Sequence, residues 1–271
     1  MERIKRYSLK LLTAFLAFML VLSVTSLIVL NSGVLDRFAK HLAISLFNEK
    51  LLGRLELQEL HFKFPNNVTL INPRIYEPGE KTPALEARSL SLQFNFLTLL
   101  QPDIKTLYMR RLTADSLTAR VIEKNNGKLN LDLIFTSRDP DSTKAPLEHF
   151  FCKNLRVNNS NLSYSGKIIR GDNVNISAKE INLELSELTV KKKLLKGTLD
   201  HLKFNIPQSH FLLQQASGKF LFSETRSEVL ALKAASSHSH AELSATFDHF
   251  NIFSHQLQNQ LALSTLSLIH I

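Results

Sequence analysis

The side chains best suited to chemistry in this chain are its 10 histidines, four of which gather near the C-terminal end as His238-x-His240, His249 and His255. Two imidazoles one residue apart on a strand point to the same side, so chelation of a transition metal is geometrically feasible. The rest of a ligand set is thin: only Glu242 and Asp248 stand nearby, with no cysteine. These histidines therefore read as solvent-facing polar residues, and no metal is assigned. Asp139 and Asp141 lack the third aligned oxygen and the turn glycine of a calcium loop. There is no Gly-x-Ser-x-Gly elbow, phosphate loop, dinucleotide fingerprint or His-Glu-x-x-His pair. With 8 glycines in 271 residues, loops that cradle phosphate have little raw material. No catalytic residue or cofactor follows, and the chain is read as a non-enzyme.

The single cysteine, Cys152, rules out an internal disulfide framework and reads as a small apolar residue at the start of a strand. The net charge of +9 includes a basic tail (Arg3, Lys5, Arg6, Lys10), and the remainder is spread thinly. No basic groove and no nucleic-acid partner are expected. The one dense run, Lys191-Lys192-Lys193 with Lys196, lies between two alternating segments and reads as a solvated hairpin tip, with a contact for anionic headgroups as its alternative. The sequons at Asn67, Asn158, Asn161 and Asn175 would matter only in a eukaryotic secretory compartment.

The elements that position the rest begin with Leu11 to Leu30, a run without a charged residue directly behind the basic tail. A bilayer core needs about 20 apolar residues at helical rise, and flanking Lys and Arg stay cytoplasmic. Residues 1–10 are thus expected as a cytoplasmic tail, 11–34 as an uncleaved transmembrane anchor, and the body across the membrane. A cleavable signal peptide is the alternative, but its apolar core usually spans about 7 to 15 residues. Leu35, Phe38, Ala39, Leu42 and Leu46 recur at three- and four-residue spacing, which predicts a short amphipathic helix over 35–53 with Gly53 as its stop.

From Leu55 onward the period is two. Leu60, Phe62 and Phe64 are followed by Leu90, Leu92, Phe94 and Phe96, then by Leu117, Ala119 and Val121, then by Leu129, Leu131, Leu133 and Phe135. Polar residues such as Ser91, Gln93 and Asn95 fall between, as in strands wetted on one face. The alternation resumes with Leu155 and Val157, Leu162 and Tyr164, Ile181 to Leu185, Leu202 to Ile206, Phe220 and Phe222, Leu230 and Leu232, and Leu243 to Phe247. Turn signals stand at Asn66-Asn67, Pro78-Gly79, Asn125-Asn126-Gly127, Gly171-Asp172-Asn173 and Ser217-Gly218. The fold class is therefore mainly β: an N-terminal transmembrane helix and a short amphipathic helix, followed by a long succession of short antiparallel strands. A first module is expected over 54–135, a polar linker over 136–146, and further repeats of the same sheet over 147–265. A loose echo supports repetition: Leu107-x-Met109 then Leu117-x-Ala119 parallels Leu155-x-Val157 then Leu162-x-Tyr164, a period near 50 residues. Residues 266–271, Leu-Ser-Leu-Ile-His-Ile, translate a transposon end used in preparing sequencing libraries. They are expected to be an artefact, which makes the chain the front part of a longer one cut at about Thr265; a natural apolar strand is the alternative.

In order, these segments resemble the N-terminal part of the AsmA-like superfamily and, within it, TamB-type proteins. The resemblance is carried by the anchor and by Leu51-Leu-Gly-Arg-Leu-Glu-Leu57, Ile71-Asn-Pro-Arg-Ile-Tyr-Glu-Pro78 and Leu85-Glu-Ala-Arg-Ser-Leu-Ser-Leu92. It continues through Asp103-Ile-Lys-Thr-Leu-Tyr-Met109, Leu117-Thr-Ala-Arg-Val121 and Asn126-Gly-Lys-Leu-Asn-Leu131, the last similar to a recurrent D-G-x-x-N-L close of the first module. The second half, with Asn154-Leu-Arg-Val157, Leu162-Ser-Tyr164 and Lys196-Gly-Thr-Leu-Asp200, is similar to the repeats that follow. The C-terminal domain that marks TamB proper has no counterpart in this sequence.

The resemblance implies an inner-membrane protein whose periplasmic body is a long curled antiparallel β-sheet, with an apolar β-groove that holds phospholipid acyl chains and conducts them between inner and outer membranes. Moving an acyl chain of about 16 carbons through water costs roughly 12 kcal/mol, at about 0.8 kcal/mol per methylene; a continuous apolar face avoids that cost. About 14 strands spaced at about 4.8 Å would give a groove of about 65 Å. The groove residues expected are Phe62, Phe64, Leu92, Phe94, Phe96, Leu131 and Leu133. A filled sandwich core gives the same alternation. The alternative function is a scaffold for outer-membrane protein assembly, whose sheet edge pairs with a barrel protein of the outer membrane.

Overall fold

The structure is a computed structural model that describes residues 33–63, 66–94, 106–124, 126–139, 148–167, 173–237 and 239–248. The anchor run Leu11 to Leu30, the groove positions Phe64 and Phe96, the histidines His238, His249 and His255, and residues 266–271 lie outside the described residues. Among the described residues, no helix is long and apolar enough to cross a membrane.

The expectation of a mainly β chain holds. Among the described residues, helix α1 (Val34–Lys50) is followed by 14 strands in one sheet. Eight of them are halves of four interrupted strands: β1 (Arg54–Glu56) with β2 (Glu59–Lys63), β3 (Asn67–Ile71) with β4 (Arg74–Tyr76), β5 (Pro83–Glu86) with β6 (Ser89–Phe94), and β7 (Thr106–Asp115) with β8 (Thr118–Ile122). The other six are β9 (His149–Lys167), β10 (Asn173–Lys191), β11 (Leu194–Ile206), β12 (Phe211–Ser223), β13 (Arg226–Ser236) and β14 (His240–Asp248). The groove length expected from 14 strands abreast is therefore too large. The longest hydrogen-bonded path, β1-β4-β5-β8-β9-β10-β11-β12-β13-β14, is ten strands wide, or about 43 Å at about 4.8 Å per step.

The interruptions line up across the sheet. On their two sides, apolar residues stand five apart in six successive strands: Leu55 and Leu60, Leu70 and Ile75, Leu85 and Leu90, Ala114 and Ala119, Val157 and Leu162, Ala178 and Leu183. Register joins them into two rows, Leu60-Leu70-Leu90-Ala114-Val157-Leu183 and Leu55-Ile75-Leu85-Ala119-Leu162-Ala178. An odd gap would flip a regular strand to its other face; one extra residue per strand, as in a β-bulge, restores the face and bends the sheet. The bend is visible as positive φ at Asn72 (47°), Ser116 (52°), Asn159 (47°) and Glu180 (56°). Hydrogen bonds stitch this crease: Asn72 N to Arg88 O (3.0 Å), Arg88 N to Asp115 O (3.0 Å) and Ser116 N to Asn158 O (2.9 Å). Ser160, buried, accepts from Leu117 N (2.9 Å) and donates to Asn158 O (2.9 Å).

Four expectations need correction. The sheet is mixed, because β9 runs parallel to both β7 and β8. Every pair in these two ladders is offset by 43 residues, as in Leu112 beside Leu155 and Ala119 beside Leu162. The internal echo is thus a pair of bent strands lying side by side, and parallel pairing demands a crossover. The crossover supplies the second correction: Leu129 to Phe135 is not a strand, since Asn130–Ile134 forms the short helix α2. A turn at Gly127 (φ 75°), with Lys124 N donating to Lys128 O (2.8 Å), reverses the chain, and Leu129 N donates to Asp132 Oδ2 (3.0 Å) at the helix start. Leu131 and Leu133 consequently leave the face-forming strands. Third, Ser217-Gly218 is not a turn but an irregularity within β12, where the register shifts between Ser217 and Lys219. Fourth, Leu230 and Leu232 do not share a face: Ala231 (φ 49°) shifts the register between Val229 and Leu232. The turns expected at Pro78-Gly79 and at the lysine run are present; Lys191, Lys192 and Lys193 are exposed at the tip between β10 and β11.

Candidate functional site

The face carrying the alternating apolar residues is the candidate site. In register across eight strands, Phe62 stands beside Val68, then Leu92, Leu112, Leu155, Leu185, Leu199 and Gly218. A neighbouring row runs through Phe94, Met109, Cys152 and Leu188. The opposite face is polar in the same register, as in His61-Thr69-Ser91-Thr113-Arg156-Glu184-His201. There Arg156 and Glu184 pair across strands at 3.6 Å with both side chains exposed, so the pair adds little to stability. Period two thus becomes a whole-sheet segregation of apolar from polar rows.

Burial along the apolar face is uneven. Phe94, Met109, Cys152 and Leu188 form a buried cluster, whereas Val68, Leu92, Leu107, Leu112, Phe150, Leu155, Leu185, Val190, Leu195 and Phe220 around it are only partly buried. Cys152 is 0% exposed, and burial pushes its thiol pKa up. A face filled by a second sheet would bury such residues as fully as its centre. Here a row of aliphatic and aromatic groups stays within reach of solvent, which makes this face the candidate site.

One end of the face is covered by α1. Ala39, Ala43, Ile44 and Phe47 pack on the cluster of Leu55, Leu57 and Leu60, together with Phe62, Val68, Leu70 and Ile75. The same helix protects the sheet edge. Asp36 Oδ1 accepts from Phe62 N (2.8 Å), Lys40 Nζ donates to Gln58 O (2.6 Å), and Asn48 Oδ1 accepts from Leu55 N (2.7 Å). Edge groups of β1 and β2 that would otherwise recruit another strand are thereby satisfied. Of the residues read from sequence as one helical face, Ala39 packs on the sheet beside Ala43 and Phe47, whereas Phe38, Leu42 and Leu46 are exposed, because the polar caps turn the Ala39 side of the helix onto the sheet.

Of the groove residues expected from sequence, Phe62, Leu92 and Phe94 lie on this face, Phe94 within its buried centre and Phe62 at the end under α1. Leu131 and Leu133 lie on α2, off the face. Sequence reasoning passed over Met109, Cys152 and Leu188 as part of one cluster with Phe94, since no local pattern reveals which strands become neighbours. Two shallow depressions of about 450 and 490 Å³ are lined mainly by the polar face, by Lys233, His240 and Glu242 in one and by Glu187, Lys196 and Lys219 in the other. His240 is exposed there, and no group of three metal-ligating side chains occurs among the described residues. No protein-family model matches the chain, and no curated protein matches it.

Proposed function

We propose that the apolar face of the sheet is a groove for phospholipid acyl chains, in an AsmA-like, TamB-type protein anchored in the inner membrane with its body in the periplasm, and that the groove conducts lipid between inner and outer membranes. The observation that carries this reading is the half-covered row Val68-Leu92-Leu112-Leu155-Leu185, aliphatic at every strand and backed by a polar face. An alkyl chain laid along it trades water for hydrocarbon at about 0.8 kcal/mol per methylene, while the headgroup stays at the wet rim. The uncharged run Leu11 to Leu30 behind a basic tail supports the topology.

A photo-crosslinking amino acid placed at position 92 or 155 of the full chain in cells is expected to capture phospholipid. The same amino acid at 91 or 156, on the polar face, is expected to capture none. Absence of lipid adducts at both inner positions would overturn the groove, and adducts to an outer-membrane barrel protein at the sheet would put the assembly scaffold in its place.

A further inference from the structure

Helix α1 carries three longitudinal stripes, two of which the fold uses. Asp36, Lys40 and Asn48 cap the edge of β1 and β2, and Ala39, Ala43 and Phe47 cover the end of the apolar face. The third, Phe38, Leu42 and Leu46, is 66%, 45% and 48% exposed. Single exposed hydrophobics are ordinary, but residues at i, i+4 and i+8 form one continuous strip. Exposed Arg37 and His41 run along one side of it, and exposed Lys50, four residues beyond Leu46, closes its row. Exposed Glu49 stands beside that end, and its carboxylate accepts from Ser45 Oγ at 2.7 Å.

We propose that this strip docks on the surface of an anionic phospholipid bilayer, an inference that rests on the proposed membrane setting of the chain. An apolar stripe bordered by Arg37 and closed by Lys50 fits a helix lying in the plane of the headgroups. Position in the chain points to the same occupant. The uncharged hydrocarbon-length run ends at Leu30, three residues before Gly33, and Gly33 at φ 69° gives the backbone a sharp change of direction at the start of α1. A helix entering there begins at the membrane surface. Docked in this way, α1 lies between the bilayer and the sheet, so that the end of the apolar face under Ala39, Ala43 and Phe47 is held against the leaflet.

The chain contains no tryptophan, so Phe38→Trp installs a single tryptophan, excited at wavelengths its tyrosines do not absorb, at an already exposed position. The full chain is reconstituted in vesicles of phosphatidylethanolamine and phosphatidylglycerol, with and without brominated acyl chains. Phe38→Trp and Leu42→Trp should emit at shorter wavelength than Tyr108→Trp, which sits on the polar face at 50% exposure. Brominated lipid should cut their emission by about half, as for a side chain lodged at the headgroup boundary, and leave Tyr108→Trp unchanged. Blue-shifted but unquenched emission would mean that protein covers the strip, and emission matching Tyr108→Trp would mean that water does; either overturns the proposal, as does failure of the chain to float with the vesicles. Loss of lipid capture at positions 92 and 155 with quenching at 38 intact would sink the groove and leave the docking surface standing. The reverse pattern would sink docking alone.

Discussion

Asn130 offers the sharpest test of how the crossover is held. Its side chain is 1% exposed and bonds the margin of β8 twice: Ile122 N donates to Oδ1 (2.9 Å), and Nδ2 donates to Arg120 O (2.8 Å). The amide thus stands in for one residue of a missing strand. Asn130→Leu keeps the branching at Cγ, with somewhat more bulk, but strands one backbone donor and one acceptor, each costing about 1–3 kcal/mol, or about 4 kcal/mol together. At about 1.4 kcal/mol per tenfold, local opening of β8 should become roughly a thousandfold more frequent. Hydrogen–deuterium exchange of residues 118–122 in the full chain, held in detergent, reads this directly, with β12 as an internal reference. Asn130→Asp adds a control with a sign. Its second oxygen would face the Arg120 carbonyl, which favours the protonated acid in the folded state and raises its folded pKa above the unfolded value of about 3.9. Folding then takes up a proton as pH falls toward that range, so stability lost at neutral pH should be partly recovered in acid. Unchanged exchange at 118–122 in Asn130→Leu would refute the view that this amide holds β8.

Two further outcomes follow from the sheet. A Cβ at Gly218 would stand 2.9 Å from Leu232 Cα and 3.2 Å from Leu232 N, both backbone atoms that cannot swing aside. Gly218→Ala should therefore cost about 1–3 kcal/mol through strain between β12 and β13, measured as faster amide exchange in both strands; wild-type exchange there would refute the close approach. Cys152, fully buried with its thiol pKa pushed up, should resist maleimide at neutral pH and label readily in urea. The unfolded thiol ionises first, near pH 8.5, so stability should fall as pH rises beyond that value, and Cys152→Ala should lose this part of the slope. Equal pH slopes for wild type and variant would contradict the burial argument.

The amino-acid sequence by itself marked most of the strands wetted on one face, because the period-two alternation of Leu90, Leu92 and Phe94 against Ser91 and Gln93 is a local property that needs no neighbour. It also marked the turns at Gly79 and Gly127, where positive φ selects glycine, and the helix behind Gly33. A stronger signal lay there as well: the five-residue spacing of Leu55 and Leu60, Leu70 and Ile75, Leu85 and Leu90 is odd where regular alternation is even, and it encodes the crease. Tertiary structure alone decided the rest. Parallel and antiparallel neighbours present the same half-buried pattern, so the pairing of β9 with β7 and β8 emerges only when the crossover through α2 is in place. Leu129, Leu131 and Leu133 alternate like a strand, yet the margin of β8 claims the Asn130 amide and curls that segment into a helical turn. On α1 every third or fourth residue is apolar around much of the cylinder, and only the edge groups of β1 and β2, by binding Asp36, Lys40 and Asn48, choose which stripe turns inward and which is left facing out.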